Sequence, residues 1–182
     1  MWTERFDWDG VSVGSTDSAR LTVRPCEPLV DRITAWRRGR TGPHAAAEAA
    51  AFEALVPHPR PVSWAAMCEV QQALCGHGGF RTGPAHCRGR RYGWREGLED
   101  RFARKIARDA QVGSPVVRAI RLYLDVIHVH PFADGNARAA VLWASWVLAG
   151  AGWPVPDMGA IVRVPKPPGD ARVVAVLVKL LE

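Results

Sequence analysis

No stretch of this chain approaches the ~20 consecutive apolar residues of a membrane-spanning helix, so no membrane partner is expected. The opening residues Met1-Trp2-Thr3-Glu4-Arg5-Phe6-Asp7 lack the apolar run of a secretory signal. Four cysteines (Cys26, Cys68, Cys75, Cys87) form neither a CxxC pair nor a dense framework, which argues against a disulfide-stapled secreted protein. The expectation is a cytoplasmic chain with reduced thiols. Cys75, His77, His86 and Cys87 are too irregularly spaced to read as a zinc set. Lysine is scarce: only Lys105, Lys166 and Lys179 occur among 24 basic residues, leaving 21 arginines and a formal charge of +6. Alanine, glycine and proline are abundant alongside arginine, so GC-rich coding accounts for that excess better than a polyanion partner does. Nucleic acid is therefore not the expected ligand.

What is present fits one soluble domain. At 182 residues, 48% hydrophobic and 23% charged, the chain can bury a full core without staples. Residues 1–24 alternate weakly and read as an extended arm. Residues 25–182 read as one mostly helical domain. Pro28 opens a helix that closes at Gly39, and a second covers Ala45 to Leu55. Ser63 is a natural N-cap for a helix that stops at Gly76. Glycine then recurs from Gly76 to Gly97, the mark of an exposed hairpin or loop. A charged helix follows over Leu98 to Ala110. Ser114-Pro115 starts another helix, with Val116, Ile120, Tyr123, Leu124 and Ile127 on one face and an end near His130, before Pro131. Ala139 to Leu148 is apolar on nearly every side, as in a helix at a domain's centre. A last helix begins after Asp170. The class is all-α with one β-like excursion and no internal repeat.

Between the two most apolar helices lies His130-Pro131-Phe132-Ala133-Asp134-Gly135-Asn136-Ala137-Arg138. Gly135 permits a sharp turn, and the helix that follows starts with unpaired N–H groups and the positive end of its dipole, an anion site. Asn136 adds an amide donor and Arg138 a planar fork suited to phosphate oxygens. Asp134 would repel those phosphates unless Mg²⁺ bridged them. His130 is the only group in the loop able to accept a proton near neutral pH. A histidine at a helix end is often only a cap, and Asp-Gly-Asn is a common turn. A compact polar loop between two buried helices nevertheless points to ligand chemistry, because unpaired polar groups there cost ~1–3 kcal/mol each.

The loop resembles the signature of the Fic/Doc family, HPFx(D/E)GN(G/K)RxxR, through His130, Pro131, Phe132, Asp134, Gly135, Asn136 and Arg138. Phe80, Arg81, Thr82 and Gly83 resemble the start of that family's flap, a hairpin that holds a target segment by strand addition. The resemblance implies an all-α Fic-type helical domain with a short β-hairpin flap. It implies transfer of AMP, or another nucleotidyl or phosphoryl group, from ATP or another nucleotide to a Ser, Thr or Tyr hydroxyl of a protein. His130 would be the general base, and Asp134 would hold Mg²⁺. Gly135, Asn136 and Ala137 would line the anion hole, and Arg138 would grip the distal phosphates, with Phe132 a core anchor. Two positions depart from the pattern: Ala137 replaces glycine or lysine, and Val141 replaces the second arginine. The (S/T)xxxE(G/N) inhibitory motif, whose glutamate pairs with that arginine, is also missing. These absences agree with each other. They leave open a donor-switched, kinase-like or toxin-type enzyme restrained by a separate antitoxin, or a Fic domain acting as a binding module. Arg81, Arg88, Arg90 and Arg91 are candidates to replace the missing charge.

Overall fold

The computed structural model describes residues 45–87 and 89–181. The expected arm over 1–24 and the helix between Pro28 and Gly39 lie outside those residues. Among the described residues there are seven helices and one two-stranded sheet, in the order α1 (Ala45–Leu55), α2 (Trp64–Cys75), β1 (Ala85–Cys87), β2 (Arg90–Tyr92), α3 (Leu98–Asp109), α4 (Pro115–Val129), α5 (Asn136–Gly150), α6 (Met158–Arg163) and α7 (Ala171–Leu181). None of the helices is long and apolar enough to cross a membrane.

The helix ends follow from side-chain chemistry. Ser63 Oγ accepts from the Ala66 N–H at 3.1 Å, and Ser114 Oγ accepts from the Val117 N–H at 3.3 Å, each satisfying a donor that the first turn leaves open. Pro115 sits just inside its helix, where its missing N–H costs nothing. Gly76 closes α2 at φ 76°, the left-handed conformation that glycine adopts without strain. The β1 and β2 strands pair antiparallel, with Ala85 opposite Tyr92 and Cys87 opposite Arg90.

The centre of the domain is the α4–α5 pair. Val141, Trp143 and Leu148 of α5 and Ile120, Leu124 and Val126 of α4 are buried together, and α7 closes on α4 through Val173, Val174 and Leu177. Trp143 and Trp146 meet edge to face, and Trp146 Nε1 donates to the Val56 carbonyl at 2.9 Å, which ties the end of α1 to the core.

Beyond Pro154 and Pro156, Asp157 caps the short α6 by accepting from the Gly159 N–H at 2.8 Å, an element that the sequence alone did not place. The charged α3 keeps part of its charge inside the protein. Lys105 and Asp109 are buried, and they join Asp125 and Arg121 of α4 in an ionic cluster.

Candidate functional site

The loop from His130 to Gly135 is fixed from several sides. Phe132 is fully buried, as expected of a core anchor, and stacks on Trp64 with ring centroids 5.4 Å apart. Trp64 in turn meets Phe80 and Phe102 edge to face, so α2, the approach to the hairpin, α3 and the loop share one aromatic cluster. Gln71 of α2 donates to the Asp134 carbonyl at 2.6 Å. Gly135 turns the chain at φ 75° directly into α5. A side chain there would overlap the Cys75 sulfur and come within 2.6 Å of Gln71 Nε2.

Asn136 does something that the sequence did not announce. Its Oδ1 accepts from the Phe132 N–H at 2.9 Å and its Nδ2 donates to the Phe132 carbonyl at 2.8 Å. The side-chain amide braces the loop through both of its ends, with one N–H of Nδ2 engaged. The backbone N–H of Asn136 stands at the helix start beside those of Ala137 and Arg138. No side chain caps this end of α5. Ala137 is exposed. Arg138 is only 1% exposed, and its Nη2 donates to Asp134 Oδ2 at 2.9 Å, while the Asp134 carboxylate itself faces solvent.

His130 ends α4 in the left-handed region at φ 55°, the one non-glycine residue with positive φ among those described. Its imidazole stacks on Tyr92 of the hairpin with centroids 4.0 Å apart. Nδ1 is buried without an aligned hydrogen-bond partner. Burial holds the imidazole's pKa below the usual histidine value, and the positive charges of Arg81 and Arg90 push the same way. The Ile127 carbonyl and the Asp134 carboxylate oppose this without prevailing. The neutral ring that results at pH 7 is the form a general base needs.

The hairpin lies further along the chain than Phe80–Gly83, which lead into it. Half-buried Phe80 joins the aromatic cluster, and the Arg81 guanidinium is buried among backbone carbonyls. Thr82 is exposed, and the Gly83 carbonyl accepts from Arg81. Of the candidates to replace the missing arginine, Arg81 is thus committed, and Arg88 lies outside the described residues. Arg90 approaches His128 Nδ1 at 3.2 Å and lies over the Tyr92 ring. Arg91 is exposed on the opposite face. Tyr92, His128 and Gln71 are site residues that sequence reasoning missed. Nothing in their local pattern distinguishes them from surface or core residues.

One carboxylate beside an uncapped helix start fits Mg²⁺ only in company with phosphates, since this ion is usually held by one or two carboxylates plus substrate oxygens. No group of three or more His, Cys, Asp or Glu able to hold a metal occurs among the described residues. The expected site therefore requires ion and donor together. A cleft of about 270 Å³ between Val62, Ile106, Arg118 and Val147 includes none of the loop residues. The loop's chemistry, rather than that volume, defines the candidate site.

No curated protein matches the chain. Among solved structures it is similar to a Fic domain-containing signalling protein from Bacteroides thetaiotaomicron VPI-5482, at 17% identity and a TM-score of 0.54 over 84% of this chain and 75% of that one. It is also similar to IbpAFic2, at 17% identity and a TM-score of 0.58 over 88% of this chain, spanning 62% of that protein's length. At such identity the likeness establishes a shared fold. The sequence pattern of the Fic/DOC family matches residues 61–148, which run from the approach to α2 almost to the end of α5. Members of this family generally transfer AMP or other groups to proteins, and residues 61–148 of this chain carry the Fic/DOC pattern on a Fic-type fold.

Proposed function

We propose that the protein transfers AMP from ATP to a Ser, Thr or Tyr hydroxyl of a target protein, with His130 as general base. The observation that carries this reading is His130 itself. Its imidazole is kept neutral at the end of α4, six residues before Asn136 opens the uncapped N-terminus of α5, in a domain with this family's pattern. The target oxygen loses its proton to His130 and bonds to the α-phosphorus, and pyrophosphate leaves. The backbone N–H groups of Asn136, Ala137 and Arg138 receive phosphate charge at the helix start, where the dipole favours it. Arg138, freed from Asp134 or sharing it, contacts the distal phosphates. Asp134 would hold Mg²⁺, which supplies charge neutralisation on the donor. Thr82, Gly83 and the hairpin edge align the target backbone as an added strand, a role that needs no inward-facing side chain.

Val141 supports a second donor assignment. It is fully buried where the family's second arginine stands, so no charge from α5 reaches a terminal phosphate at that position. A lost charge-assisted contact is worth ~1.5–3 kcal/mol, roughly ten- to a hundredfold in affinity. That favours a donor, or a transferred group, that makes less use of the γ-phosphate. The sequence also lacks an (S/T)xxxE(G/N) motif, which supports restraint by a separate protein of the antitoxin type.

The decisive experiment incubates the protein and a cell lysate with ATP labelled at either the α- or the γ-phosphate, beside a panel of other nucleotides. Label retained from the α position, and lost in His130→Ala, is the expected result. Label from γ reassigns the chemistry to phosphoryl transfer. No label from any nucleotide, with a biological effect that survives His130→Ala, sinks the enzymatic reading and leaves a binding module.

A further inference from the structure

Arg81 makes a set of contacts that no other residue described here repeats. Its Nε donates to the His130 carbonyl at 2.7 Å, and its Nη2 donates to the Val129 carbonyl at 3.2 Å and to the Gly93 carbonyl at 2.5 Å. Nη1 donates to the Gly83 carbonyl, and the backbone N–H donates to the Pro131 carbonyl at 2.8 Å. Every acceptor is a main-chain oxygen. No carboxylate pairs with this buried cation among the described residues, so its charge is balanced by the carbonyl end of α4, where the helix dipole is negative.

These acceptors belong to three places at once. Gly83 lies just before β1 and Gly93 just after β2, so they are the two stems of the hairpin. Val129 and His130 are the last turn and cap of α4. Between the stems, Tyr92 stacks on the His130 ring and Arg90 reaches His128. A planar guanidinium with five N–H groups can span such a set, whereas an ammonium with three rotating donors cannot. The left-handed backbone of His130 is a conformation that non-glycine residues hold only when their surroundings impose it.

The geometry points to Arg81 as a positioning residue that locks both stems of the hairpin onto the end of α4 and thereby fixes the His130 imidazole against Tyr92. One side chain then couples the element that aligns a target to the group that takes its proton. This extends the proposed transfer reaction, because it matters for chemistry only if His130 is the base. Arg81 also contributes positive charge beside the imidazole, which helps hold the ring neutral.

The test uses the full chain with Arg81→Ala and Arg81→Lys. Two readouts do not depend on turnover: the NMR titration midpoint of the His130 imidazole, assigned by its loss in His130→Gln, and amide hydrogen exchange across residues 84–93. In Arg81→Ala the midpoint moves upward and hairpin exchange accelerates about tenfold or more, while exchange in α5 stays at the wild-type rate. In Arg81→Lys the midpoint stays near wild type, because the charge remains, but the hairpin still loosens. A folded Arg81→Ala protein with unchanged midpoint and unchanged hairpin exchange overturns the proposal. So does wild-type exchange in Arg81→Lys, which decides the matter if the alanine variant does not fold. Where transfer is measurable, kcat falls in both variants with the donor KM little changed. If the chain transfers nothing, titration and exchange still judge Arg81 on their own, and only the transfer reading is lost.

Discussion

At Gly135 the backbone has φ 75°, and the space where a side chain would project already holds the Cys75 sulfur and the Gln71 amide. Gly135→Ala therefore combines backbone strain with an overlap at the residue that pins the Asp134 carbonyl. A stability loss of ~1–3 kcal/mol is expected, with weakened nucleotide binding, read by urea denaturation and calorimetry. Wild-type values for both would show that the loop is not as tightly built as its contacts suggest. A second prediction concerns His128, whose pKa is lowered to about 4 by burial first and by Arg90 and Lys166 next. Below the ordinary value of 6.5 the unfolded chain takes up this proton while the folded chain does not. The stability that His128 contributes is thus complete above about 6.5 and is lost as pH falls towards about 4. Thermal midpoints between those limits should fall less steeply in His128→Gln. An unchanged slope would remove His128 as the cause. Single-residue reading of the sequence reaches furthest where the residue type allows few roles. Gly135 turns the chain as its type suggests, but Asn136 has two functional ends, and only the fold reveals that Phe132 uses both.

The helices were legible wherever a local signal marks a boundary. Ser63, Gly76 and Ser114-Pro115 end or start helices within the sequence they occupy, so α2 and α4 fall where their caps place them. The glycine-rich stretch from Gly76 to Gly97 marked where the hairpin lies, but strands of three residues carry no readable period to bound them, and α6, shorter than two helical turns, was not located. Position 141 belongs to this scale because its meaning depends on which way α5 faces there. Its side chain is 0% exposed. Restoring the family's arginine by Val141→Arg would place a charge where nothing is prepared to receive it, at a cost of several kcal/mol unless it finds the phosphates. The expected outcome is a lower melting temperature in the free protein and partial recovery when ATP with Mg²⁺ is added. A variant as stable as wild type without nucleotide would mean that α5 turns this position towards open space.

At the scale of the whole molecule, charge also works inside the protein. Among the described residues, arginines such as Arg91, Arg104 and Arg172 are exposed, whereas Lys105, Asp109, Asp125 and Arg121 form an ionic cluster between α3 and α4. The sequence disguises this set. In α3 the lysine and aspartate look like any solvated i,i+4 pair, and their partners come from a helix some twenty residues on, beyond the reach of any local pattern. Lys105 is nearly inaccessible and touches both carboxylates, so Lys105→Met removes the cation that joins Asp109 to Asp125 and leaves the arginines Arg121 and Arg108 at Asp109. Removing one partner from a buried ionic group costs ~3–5 kcal/mol, while replacing charges on both sides by apolar groups is often neutral. Lys105→Met should therefore unfold at markedly lower urea, and Lys105→Met with Asp125→Leu should recover much of the loss. Because α4 ends at His130, the single variant should also weaken the stacking of His130 on Tyr92, visible as ring-current shifts of the imidazole protons. If the single variant unfolds with wild-type stability, the cluster is not desolvated enough to matter. If the double variant is no better than the single, the cost lies in lost packing around the lysine stem, and the ionic account of how α3 is joined to α4 fails.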